Sequence, residues 1–125
     1  MKINTVGTSR SYTRDGVTSH LLASQLDAGM ESLATTLVEM QPGGVQKVHS
    51  HPQEQCYFVI EGGGTMTVGN ESCEVGAGDC IPVPGGTPHG LVNTGAHVLR
   101  YFSATAPCWS EEELVQLWPD QSGEE

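Results

Sequence analysis

Residues 43–62 read GGVQKVHSHPQEQCYFVIEG, and the fold is decided in this stretch. Glycines open and close it, and β-branched and aromatic residues fill its second half, which is the pattern of extended chain held between turns. Successive side chains of a strand point to opposite faces, so His49 and His51 point the same way, about 7 Å apart along the chain. Two imidazoles then converge on one point. If the extended phase survives Pro52, Gln55 shares their face with Tyr57 and Val59, and Glu54 points away. A proline disturbs that phase, so Glu54 stays the rival ligand from this segment. The choice matters chemically, because an ion held by three imidazoles and a neutral amide oxygen keeps its full charge as a Lewis acid.

Working outward, the glycines of EGGGT (61–65) end the EQCYFVI run and predict a hairpin between it and TMTVGN (65–70). Residues 69–93 then alternate turn signals with short apolar pieces at the rhythm of a sandwich or small barrel. AHVLRYFSATA (96–106) reads as a further strand. Upstream, VTSHLLASQL (17–26) and MESLATTLVEM (30–40) are strand-like, with Ala34, Thr36, Val38 and Met40 sharing one face. Met40, Met66, Phe58 and Ile60 read as core or pocket lining, and Cys56 as facing away from Gln55 and Tyr57. One helix is expected, about 110–118: Ser110 and Glu113 form a capping box, Leu114, Leu117 and Trp118 repeat at helical spacing, and Pro119 stops it. With no linker or tandem repeat in sight, residues 1–125 are expected to form a single domain.

The chain has 16 glycines, 7 prolines and only 16% charged residues, which suits a turn-rich all-β protein. A net charge of −10 would repel polyphosphate and anionic lipid, so nucleic acid and membrane surfaces are not expected partners. Much of that acidity sits in SEEEL (110–114) and SGEE (122–125), read as solvated. Cys56, Cys73, Cys80 and Cys108 lack zinc or redox spacing and read as reduced thiols. The opening residues MKINTVGTSRSYTRDG carry no apolar core of signal-peptide length, so a cytoplasmic location is expected.

A third imidazole comes from GDCIPVPGGTPHGLVN (78–93), where glycine and proline turns lead into an extended piece carrying His89, Leu91 and Asn93 on one face. Gly43, His49, His51, Gln55 and Gly62 resemble, in order and spacing, the first motif of the cupins, which normally has Glu where Gln55 stands. Gly78, Pro84, Gly86, His89 and Asn93 resemble the second motif. The resemblance implies a cupin double-stranded β-helix, a jelly-roll barrel with an ion in its mouth. It assigns His49, His51 and His89 as metal ligands, with Gln55 in the place of the glutamate, as in cupins similar to the pectin-degradation type. That exchange departs from oxalate-type and germin-type sites. The cofactor implied is one divalent transition metal ion, with Fe, Mn, Ni, Zn and Cu all suited to three imidazoles and an amide oxygen.

Proton-transfer chemistry needs an acid or base beside the ion, and few groups qualify. His97, Leu99 and Tyr101 share one face of the late strand, Arg100 and Phe102 the other, and no carboxylate stands there. Tyr57, Tyr101, His97 and Arg100 are the catalytic candidates, with Glu39 behind them; His20 reads as an ordinary surface or inter-strand histidine. The function expected is that of a metal-dependent enzyme acting on a small oxygen-rich molecule such as a sugar acid, keto acid or enediol. Isomerase, lyase, decarboxylase or dioxygenase chemistry would suit it. The alternative is a barrel that binds or senses a small ligand without turnover. A homodimer is expected, because two-fold pairs are the commonest way to cover sheet edges.

Overall fold

The computed structural model describes residues 1–119, so the acidic ending SGEE lies outside the described residues. Ten strands follow one another: β1 (Arg10–Arg14), β2 (Val17–Ala23), β3 (Ala34–Met40), β4 (Val45–His49), β5 (Glu54–Glu61), β6 (Gly63–Val68), β7 (Glu71–Gly76), β8 (Cys80–Val83), β9 (His89–Val92) and β10 (Leu99–Ala106). Two helices, α1 (Gln25–Ala28) and α2 (Glu111–Leu117), complete the regular structure of the described residues apart from a 3-10 turn at Val6–Thr8. One sheet has the order β1-β2-β3-β10-β5-β8 and the other β4-β9-β6-β7, with antiparallel pairing throughout. The two sheets face each other as the jelly-roll barrel expected from the strand rhythm.

The core lies between the sheets because alternation along each strand delivers apolar side chains there. In β3 the inward set is Ala34, Thr36, Val38 and Met40, and in β10 it is Leu99, Tyr101, Ser103 and Thr105. Val38, Met40, Tyr57, Val59, Met66, Val83, Leu91, Leu99 and Tyr101 form one buried cluster, in which each large side chain contributes about 1.5–3 kcal/mol. Phe58 and Ile60 do not belong to it. They are 45% and 43% exposed on the outer face of the six-stranded sheet, because Tyr57 and Val59 claim the inward parity of β5. Cys56 shares the outward parity, as expected.

The hairpin expected between EQCYFVI and TMTV does not form. β5 pairs with β8 and β10, whereas β6 pairs with β7 and β9, so the chain changes sheets at the glycines. Gly62 has φ +80°, and a Cβ there would lie 2.5 Å from the Val98 carbonyl oxygen; at Gly64 it would lie 2.2 Å from that of Val92. A corner this tight admits no side chain. The local hairpin is instead β6–β7, turned at Gly69 and Asn70.

The helix expected about 110–118 is α2, capped by the reciprocal Ser110–Glu113 box. Leu114 and Trp118 join Leu21, Ala34, Cys108 and Trp109 in a second buried cluster, and the Trp118 indole donates to the Ser19 carbonyl at 3.2 Å. The helix thereby closes one end of the barrel beside the histidines. No helix among the described residues is long and apolar enough to cross a membrane.

Candidate metal centre

His49 ends β4, His51 follows in the connecting loop, and His89 opens β9 directly opposite His49 in register. The three rings gather with centroids 4.4 Å (His49–His89), 4.8 Å (His51–His89) and 5.6 Å (His49–His51) apart. One nitrogen from each lies within 4.8 Å of the others. Each Nδ1 bonds a backbone carbonyl two residues away: His49 to Lys47 at 2.8 Å, His51 to Gln53 at 3.0 Å and His89 to Thr87 at 2.8 Å. A carbonyl only accepts, so each Nδ1 carries the proton and each Nε2 presents a lone pair. Such carbonyl contacts orient metal-binding imidazoles and fix their tautomers.

Burial disfavours protonation of two of the rings, His89 and His49. It holds the His89 pKa below the ordinary 6.5, against the opposing bond to Thr87 and with help from the nearby His49 and His51. His49 keeps an exposed edge at the rim, yet desolvation among the clustered rings lowers its pKa as well, opposed by the bond to Lys47.

The residues fit a bound cation on two observations. His89 Nε2 is buried without a hydrogen-bond partner, an arrangement that costs free energy unless something electron-poor fills it. Gln55 Oε1 lies 3.1 Å from His51 Nε2, so two acceptors face each other and a shared cation would satisfy both. The Gln55 amide is oriented from behind, where its Nε2 donates to Ser103 Oγ at 3.2 Å, itself 2.6 Å from Thr36 Oγ1. Glu54, the rival from this segment, is exposed and faces away.

A cavity of about 480 Å³ opens over the cluster, lined by His49, His51, Gln55, Tyr101, Trp109 and Glu113 among others. The Trp109 and His51 rings meet edge to face with centroids 4.9 Å apart. Tyr57 and Tyr101 stack at 4.5 Å below the histidines, and Gln46 bridges their hydroxyls. Desolvation pushes both phenols well above their usual range. Glu113 supplies the carboxylate that β10 lacks. Its pKa is lowered, chiefly by the Ser110 backbone N–H, with a further bond from Gln53 Nε2 at 2.9 Å.

Of the other catalytic candidates, His97 lies in the exposed 94–98 loop and not on the strand, its carbonyl accepting from Asn93. Arg100 is on the outer face, where it pairs with Glu39 at 2.9 Å and also with Glu61; neither residue lines the cavity. Glu39 also meets His20 at 3.0 Å, the inter-strand contact expected of that histidine. Sequence reasoning missed Gln46, Trp109 and Ser103, and saw Glu113 only as a cap.

Residues 36–105 match the family described as "Cupin domain". The chain is a cupin. It is 36% identical over 108 residues to the uncharacterized protein MJ1618 of Methanocaldococcus jannaschii, covering 84% of this chain and 85% of that one. The cupin is also 26% identical over 124 residues to the oxalate decarboxylase OxdC of Bacillus subtilis, covering 94% of this chain but 31% of OxdC. Among solved structures it resembles an RmlC-like cupin from Shewanella frigidimarina, with TM-score 0.75, 21% identity, and coverage of 92% of this chain and 96% of that one.

Proposed function

We propose that this cupin is a metal-dependent enzyme whose substrate is a small oxygen-rich molecule, of the sugar acid, keto acid or enediol class, bound in the cavity above the histidines. One observation carries the reading: three imidazoles present their Nε2 lone pairs to one point, each held by its own backbone carbonyl, under an open cavity. In this reading His49, His51, His89 and Gln55 hold one divalent transition ion, which supplies Lewis-acid polarisation of a substrate oxygen. Tyr101 and Glu113 are the groups placed to meet the substrate, and Trp109 covers one side of it. The oxalate decarboxylase likeness supports a carboxylate-bearing substrate. The neutral Gln55 amide sets the site apart from glutamate-bearing ones and favours isomerase, lyase or dioxygenase chemistry over oxalate cleavage. The protein is further proposed to act in the cytoplasm as a homodimer, with exposed Phe58, Ile60 and Phe102 on the outer sheet face supporting self-association. Light scattering at a monomer mass would remove the dimer.

Metal analysis of protein purified without tag or chelator tests the centre, with about one equivalent of a first-row metal expected. Chelation should then abolish turnover in panels of sugar acids, keto acids and enediols, and metal return should restore it. A metal-dependent ligand affinity with no turnover in any panel would mark the non-catalytic barrel instead. Absence of metal after soaking would end the metalloprotein reading.

A further inference from the structure

We propose that Gln46 is a positioning residue that directs the Tyr101 hydroxyl into the cavity, where Tyr101 donates a hydrogen bond to an oxygen of the metal-bound ligand. The inference rests on the metal reading above and adds to it a residue for ligand recognition.

The direction follows from counting donors. Gln46 Oε1 accepts from the Tyr57 hydroxyl at 2.8 Å, and Gln46 Nε2 donates to the Tyr101 oxygen at 3.0 Å. An amide offers an acceptor at one end and donors at the other, so it makes two otherwise similar phenols inequivalent. The Tyr57 proton is committed to Gln46. Tyr101 has received, and its own proton has two places to go, the neighbouring Tyr57 oxygen and the cavity. Tyr101 lines the cavity with His49, His51 and Gln55, whereas Tyr57 lies behind it in the stack, its ring 6.0 Å from that of His89. Desolvation keeps the Tyr101 phenol protonated far above neutral pH, so it serves as a donor and not as a base.

Gln46 reaches this place through an irregularity in β4. The pairing of β4 with β9 shifts register between Gln46 and His49. Unbroken alternation would send these two side chains to opposite faces; with the shift, both line the cavity.

The test uses cobalt(II)-substituted protein, titrated with acetate and followed by visible absorption. One acetate oxygen reaches the metal and the second stands in for the ligand oxygen. Tyr101→Phe should weaken acetate binding about tenfold, as expected for loss of a hydrogen bond to a charged group. Gln46→Met should weaken it severalfold in the parent but leave it unchanged in the Tyr101→Phe background. A purely structural role for Gln46 would weaken binding in both backgrounds and overturn the proposal. Gln46→Leu, neutral and likewise unable to donate to Tyr101, provides the same cycle should Gln46→Met fail to fold. Acetate affinity unchanged in Tyr101→Phe would also overturn it, as would tighter binding in Tyr57→Phe, which would mean the Tyr101 proton belongs to Tyr57. Failure of the parent to bind cobalt would overturn the metal reading along with it.

Discussion

Two polar clusters built around histidine lie outside and inside the barrel, and only one of them is chemically open. On the outer sheet face, His20 meets Glu39, Glu39 meets Arg100, and Arg100 meets Glu61. Donors and acceptors alternate, so that network is complete in itself. On the inner side, three imidazoles and an amide oxygen turn lone pairs toward one another with no donor between them, and the buried His89 Nε2 has no partner. The same side-chain chemistry is self-satisfying on one face and suited to a cation on the other. Opposite charges make a structural contact, whereas converging acceptors make a site.

The largest expected difference between the two is metal content. Substituting His51 with Ala should lower metal affinity by more than about a hundredfold, beyond what loss of a supporting contact costs, while circular dichroism reports an intact fold. The barrel is held by its core. A His20→Ala variant should keep full metal content, and equal loss in both variants would erase the contrast.

Titration should separate the clusters next. In metal-free protein, folded His89 has a pKa below 6.5, so the unfolded chain binds protons more readily, and stability should fall as pH drops below about 6.5. Glu39 behaves differently: His20 and then Arg100 hold its pKa below 4.5, so its stabilisation persists above 4.5 and is lost only as pH falls through the lower folded value. Denaturant melts from pH 7.5 to 3.5 should show two windows. His89→Gln should shrink the upper one, which His49 shares, and Glu39→Gln the lower, which Glu113 shares. A single window that neither variant alters would contradict this division.

Gln55→Ala should lower metal affinity about tenfold, less than loss of an imidazole, because an amide oxygen is the weakest donor of the four. The smallest effect belongs to the outer face. Arg100→Ala should cost about 1 kcal/mol or less in denaturant unfolding and leave metal content unchanged, since its ion pairs are partly exposed.

The two clusters also differ in how far sequence alone revealed them. The inner histidines declared themselves because H-x-H and the turn-framed His89 are local patterns, and Gln55 meets His51 across the bend at Pro52. The outer network pairs Glu39 with Arg100 across 61 residues of chain, a contact no local pattern announces. His97 was misplaced on a strand that begins only at Leu99, and Arg100 stood as a catalytic candidate because parity names two faces without saying which one is inside. The expected β5–β6 hairpin failed for a related reason, since three glycines permit a change of sheet as readily as a reversal within one.

The sequence by itself determined the strand rhythm, which residues share a face along β3 and β10, the capped C-terminal helix and the three imidazoles, because each depends on residues a few positions apart and on fixed backbone periods. Only the tertiary structure decided that β5 and β6 belong to different sheets, that Glu113 and Trp109 border the cavity, and that Gln46 joins two tyrosines 44 residues apart in the chain. Those arrangements depend on which distant strands meet, and on a register shift in β4 set by its pairing with β9.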